Sequence, residues 1–242
     1  MQQSEDPRRD FLVQALGLGL LTTGVTSLWS TSVLGLGDIP EKLPPGRSIY
    51  RLSGEVKVDG RVADINTRIA ANSRVTTGPA SQIIFVVGSD AFVLRSNSDL
   101  QLGGSNALIS GMRILSGKLL SVFGKRSASQ PTHQIQTLTA TIGVRGTGVY
   151  VESDPEQTYL CTCYGRTLVR ANEDPSITRD IEAQHHDEPV YILPGSGADV
   201  IRPAPFINHT DTELALLEEL VGRTVPFAIG SDVYEAPRKR LY

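Results

Sequence analysis

The sequence predicts an all-β protein: a sandwich, or a solenoid-like stack of short antiparallel strands, with a short helix near the C-terminus. Three observations carry this expectation. Short β-patterned runs recur at close spacing, turn residues separate them, and no helical periodicity intervenes before residue 210. The 242 residues allow one good core with appendages, at 40% hydrophobic and 20% charged content. Twenty-three glycines and 14 prolines suit a chain of many turns. A net charge of −3 leaves no cationic excess to neutralise phosphates, so nucleic acid is not an expected partner. The short basic run Arg238-Lys239-Arg240 reads as a solvated tail.

Residues 1–37 read as an export signal or membrane anchor. Arg8-Arg9-Asp10-Phe11-Leu12 precedes an uncharged stretch to Gly37, and the paired arginines resemble a twin-arginine export signal. The stretch is long enough to span a bilayer, and no Ala-x-Ala cleavage site is evident near Gly37. A periplasmic destination is expected, with an inner-membrane tether if the segment is retained. Membrane contact is expected only through this segment. Residues 38–47 form a Pro-rich linker ending in Pro44-Pro45-Gly46.

The β elements then follow in order. Gly54-Glu55-Val56-Lys57-Val58 alternates and runs into Asp59-Gly60, a two-residue hairpin signal. Gln82–Val87 is β-branched and apolar enough to be buried on both faces, and Gly88-Ser89-Asp90 turns it into Ala91–Arg95. Further runs lie at Leu100–Leu102, Met112–Leu115 and Lys118–Phe123, punctuated by Gly103-Gly104 and Ser116-Gly117. A polar loop at Ser127–Pro131 divides this half from the next.

Several strings occurring in order resemble the bacterial FecR-type domain. They are Gly54-x-Val56-x-Val58-x-Gly60, Arg74-Val75-Thr76-Thr77-Gly78 with Ser81 and Ile83, and Ala91-Phe92-Val93-Leu94 with Asn97-Ser98. Leu115 with Gly117-Lys118-Leu119 follows, and the most specific string is Thr139-Ala140-Thr141-Ile142-Gly143-Val144-Arg145-Gly146-Thr147. The resemblance spans about residues 48–152 and implies a periplasmic all-β module, which in the family's best-known members transmits a signal from an outer-membrane receptor to a cytoplasmic sigma factor. Its best-known members also carry a cytoplasmic anti-sigma segment and a receptor-binding end. About ten residues precede the apolar stretch here and neither segment is recognised, so an anti-sigma role is not expected. Bottom-up, Gly143–Gly148 reads as a tight turn, with an anion-binding nest as the sharper alternative.

Residues 153–205 read as a β extension that carries the chemistry. Tyr159–Val169 is strand-like, so Cys161 and Cys163 at i and i+2 face the same side. A return strand through Arg179–Gln184 brings His185 and His186 back towards them. Two thiolates and one or two imidazoles suit one transition metal ion, Zn²⁺, copper or iron. Two other readings stand beside this: packed, inert thiols, and a redox or catalytic pair. Adjacent histidines on a strand face opposite sides, so at most one joins the site unless they lie in a loop. His133 and His209 read as surface or satisfied residues. No nucleophile–base motif is evident, so no enzymatic activity is expected. An envelope protein is the expected partner. Residues 206–242 hold a helix opened by a Thr210/Glu213 capping box, with Leu214, Leu217 and Leu220 at helical spacing and Gly222 as a stop.

Overall fold

A computed structural model describes residues 42–105, 108–126 and 132–228. The expected export signal or anchor (residues 1–37), the Ser127–Pro131 loop and the Arg238-Lys239-Arg240 run lie outside the described residues. Among the described residues no helix is long and apolar enough to cross a membrane.

Fourteen strands form one hydrogen-bonded network, with a single helix near the C-terminus of the described chain. The strands are β1 (Ile49–Ser53), β2 (Val56–Val58), β3 (Arg61–Val62), β4 (Arg74–Thr77), β5 (Gln82–Val87), β6 (Asp90–Leu94) and β7 (Asp99–Ser105). They continue as β8 (Leu108–Val122), β9 (His133–Gln136), β10 (Ala140–Ser153), β11 (Thr158–Ala171), β12 (Thr178–Ala183), β13 (Val190–Ile192) and β14 (Ile201–Pro203). Helix α1 spans Asp211–Leu220. The fold is therefore all-β with one short C-terminal helix.

Strand length and direction depart from the expected short antiparallel runs. β8, β10 and β11 are 15, 14 and 14 residues long, and β9 pairs with β8 in parallel. These three strands belong to two half-sheets at once. The first half of β8 pairs with β7 and β9; its second half pairs with β6 and β10. Likewise β11 pairs with β13 through Thr158–Leu160 and with β12 through Gly165–Arg170. The exchanges fall at glycines in the left-handed region, Gly117 (φ +96°) and Gly165 (φ +86°), which side chains disfavour. A Ser-Gly pair in sequence reads as a break between strands, whereas here it lies inside one. The same holds for Gly143–Gly148, which is no turn or nest. It lies in β10, across a register irregularity between Arg145 and Val149 where β10 changes partners from β9 to β8.

Asp59-Gly60 makes the expected hairpin, with φ of +51° and +77° and Val58 opposite Arg61. β5 is buried on both faces, as its composition predicts. Period-two alternation explains how. Ile83 and Phe85 enter the main core with Phe92, Leu94, Val149, Val151 and Leu160. Ile84, Val93, Leu120, Tyr150, Tyr159, Cys161 and Cys163 face the other way, into a second cluster closed by Leu214, Leu217 and Leu220 of α1. The Thr210 capping box is formed, and Gly222 (φ +74°) follows the helix end. Residue 152, near which a boundary was expected, lies within β10.

Candidate metal centre

The second cluster contains a polar heart. On β11, Tyr159, Cys161 and Cys163 alternate with Leu160, which enters the main core, so both thiols face the helix layer. β12 returns antiparallel in the register Gly165↔Ala183, and the ladder is extended by the His186 amide donating to the Cys163 carbonyl at 2.9 Å. Asp187 shapes the bend: its carboxylate accepts from the amides of Gln184 (2.7 Å) and His185 (3.2 Å). His186 adopts φ +56° and its ring turns inward to full burial.

Four ligand atoms converge there. Cys161 Sγ lies 3.4 Å from His186 Nδ1, Cys163 Sγ lies 3.4 Å from His209 Nε2, and the two imidazole nitrogens are 3.2 Å apart. All four atoms lie within 4.8 Å of one another, and all four residues are buried. Around a tetrahedral Zn²⁺, with Zn–S about 2.3 Å and Zn–N about 2.0–2.1 Å, neighbouring ligand atoms sit about 3.3 Å (N to N) and about 3.5 Å (S to N) apart. The observed separations match that pattern closely.

The outward nitrogens are also engaged. His186 Nε2 meets Asp211 Oδ1 at 2.9 Å, and His209 Nδ1 meets the Ile207 carbonyl at 2.7 Å. A carbonyl can only accept, so His209 Nδ1 carries the proton. In a neutral His209 the lone pair of Nε2 then points at the thiols. A carboxylate behind one histidine and a carbonyl behind the other are the usual supports of metal-binding imidazoles.

The same contacts shift the titration of the cluster's side chains. Burial alone would lower the His186 pKa, but hydrogen bonds to Asp211 and Cys161 outweigh it and raise it to about 9. Burial would raise the Cys161 thiol; its hydrogen bond with Cys163, the His209 charge and the His186 hydrogen bond hold it well below the ordinary value instead. Cys163 moves the other way, pushed up by burial and by its neighbour Cys161. Burial would likewise raise Asp211, and hydrogen bonds from His186 and His185 hold it down. The result is a buried thiolate–cation–carboxylate line.

Of the four residues expected from sequence, Cys161, Cys163 and His186 come together. His185 does not join the inner cluster. Its Nε2 lies 2.9 Å from Asp211 Oδ2, so it supports the carboxylate from outside. The fourth inner residue is His209, expected to be a surface or satisfied group and in fact 1% exposed. Its signal was its place one residue before the Thr210 cap: a helix that covers a sheet sets the residue ahead of its cap against that sheet. His133 is buried as well, 3.7 Å from Asp90, far along the chain from this cluster.

Cys161, His186 and Asp211 also have the layout of a nucleophile, base and carboxylate. Cys161 and Cys163 are both 0% exposed.

No family model matches the chain, and no curated protein matches it. Two crystal structures of a "putative anti-sigma factor" from Parabacteroides distasonis ATCC 8503, at 1.65 and 2.50 Å resolution, are similar to it. Each gives a TM-score of 0.44 at 9% identity, over 54% of this chain and 59% of that structure's chain.

Proposed function

We propose that this chain is a non-enzymatic, exported metal-binding β module whose centre of Cys161, Cys163, His186 and His209 takes one Zn²⁺. The convergence of two sulfurs and two imidazole nitrogens at tetrahedral spacing carries the reading. A tetrahedral S₂N₂ set suits zinc, while copper and iron in such sites favour other geometries or clusters. Four protein ligands leave no open position, so the site is structural in kind. Its burial supports the absence of catalysis. Export is supported by the twin-arginine-like string, and a thiol pair in an oxidising compartment is protected when ligated.

Cobalt titration of metal-free protein tests this reading. One equivalent of Co²⁺ is expected to give intense thiolate-to-metal absorption with tetrahedral ligand-field bands. Zinc should then displace it. Octahedral bands, or no uptake, would overturn the proposal.

A second reading, a FecR-type relay module that engages an envelope protein partner, is compatible with the first. It is favoured by glycines of the family-like strings standing where a side chain cannot. A Cβ on Gly54 would lie 2.3 Å from Ser81 Oγ, and one on Gly117 would lie 2.1 Å from Ser98 Oγ. Cross-linking in the envelope checks it; recovery of chance neighbours alone counts against it.

A further inference from the structure

We infer that the metal is a latch: its occupancy decides whether the C-terminal helix stays docked on the outer face of the sheet. The inference rests on the zinc reading above. Three of the ligands, Cys161, Cys163 and His186, belong to β11 and the bend after β12. The fourth, His209, lies on the segment that leads into α1, and the supporting Asp211 is the first residue of α1 itself. A single ion therefore ties two separate stretches of chain, sheet body and covering helix.

The layer that the ion fastens is distinct from the main core. α1 closes the second cluster, over Ile84, Val93, Leu120, Tyr150 and Tyr159, while the main core lies on the opposite face of the same strands. His209 stacks on Tyr150 with ring centroids 4.5 Å apart, so the ligand is itself part of the cover. At ten residues α1 is shorter than helices that persist alone in water, about 12–15 residues, and needs its docking contacts. Those contacts include the buried ion pair Arg95–Glu213 (2.7 Å) and the hydrogen bond from Tyr164 to Glu218. They orient the helix, but metal ligation by thiolates and imidazoles outweighs individual hydrogen bonds. Without the ion, docking must instead bury two imidazoles and two thiols against one another. The body keeps its own core in either state, which is the condition for a local rather than a global opening.

Hydrogen exchange of the full chain with zinc bound, after chelation and after zinc is restored is the test. Chelation should speed exchange of the Asp211–Leu220 amides by about tenfold or more, leave β5, β6 and β10 within about twofold, and be reversed by zinc. His209→Asn, which loses stoichiometric zinc on purification, should open the helix in the same way even in excess zinc, when the other three ligands hold the ion more weakly. The latch is overturned if zinc leaves and helix exchange is unchanged, or if every strand accelerates together. The second result would make the ion a staple of the whole fold. The wild-type arms stand whether or not His209→Asn folds. Protein that takes up no zinc at all would remove the metal reading itself, a result told apart from the others by elemental analysis of the same samples.

Discussion

At the scale of single residues, the centre depends on which nitrogen each imidazole turns inward, and Asp211 and the Ile207 carbonyl decide that. Asp211→Asn keeps the shape and weakens the acceptor, so zinc affinity should fall by about 10–100-fold, measured by competition with a chromophoric chelator. A second residue-scale prediction concerns Asp90 and His133, whose side chains are 3% and 2% exposed. Burial lifts Asp90 from 3.8 to about 6, although the Gly124 amide and Arg126 pull it down. Burial, with the Arg126 charge, pushes His133 from 6.5 to about 4. A carboxyl raised in the native state takes up its proton earlier than in the unfolded chain, so it adds stability as pH falls from 6 towards 3.8. A lowered imidazole resists its proton and loses stability as pH falls from 6.5 towards 4. In the native protein the two slopes oppose. Relative to wild type, Asp90→Asn should lose urea stability across that interval, and His133→Gln should gain it.

At the scale of elements, α1 shows what local signals can and cannot specify. Its start, stop and apolar spacing are legible from Thr210, Glu213, Leu214, Leu217, Leu220 and Gly222, because capping and helical period are short-range. Its buried acids are not. Glu213 and Glu218 lie against the sheet, where Arg95 and Tyr164 receive them, and those partners are more than fifty residues away in sequence. Glu213→Gln retains the cap and removes the charge opposite buried Arg95, a loss of about 3 kcal/mol or more. Thr210→Ala removes one capping hydrogen bond and should cost about 1 kcal/mol. Denaturant midpoints at constant slope check both, and the order of the two losses is the informative result. The strands follow the same rule. β5 and the Asp59-Gly60 hairpin follow from local composition, whereas β8 conceals its length behind Ser116-Gly117.

At the scale of the whole molecule, two half-sheets share three long strands, and alternation along those strands sends one face to the main core and the other to the helix layer. Cys161 and Cys163 were legible as a same-face pair because strand period is local. His186 was reachable through hairpin arithmetic, but adjacent His185 and His186 could not be told apart. The bend set by Asp187 chooses between them. His209 is marked by its place just before the Thr210 cap, but where that helix packs on the sheet rests on contacts far apart in sequence. The central claim, a zinc ion held by these four residues, is tested most directly by elemental analysis of anaerobically purified protein. One zinc per chain is expected in the wild type, with loss of stoichiometric zinc in Cys161→Ser and in His209→Ala. Metal-free wild-type protein that is fully folded, or variants that keep full zinc, would contradict it.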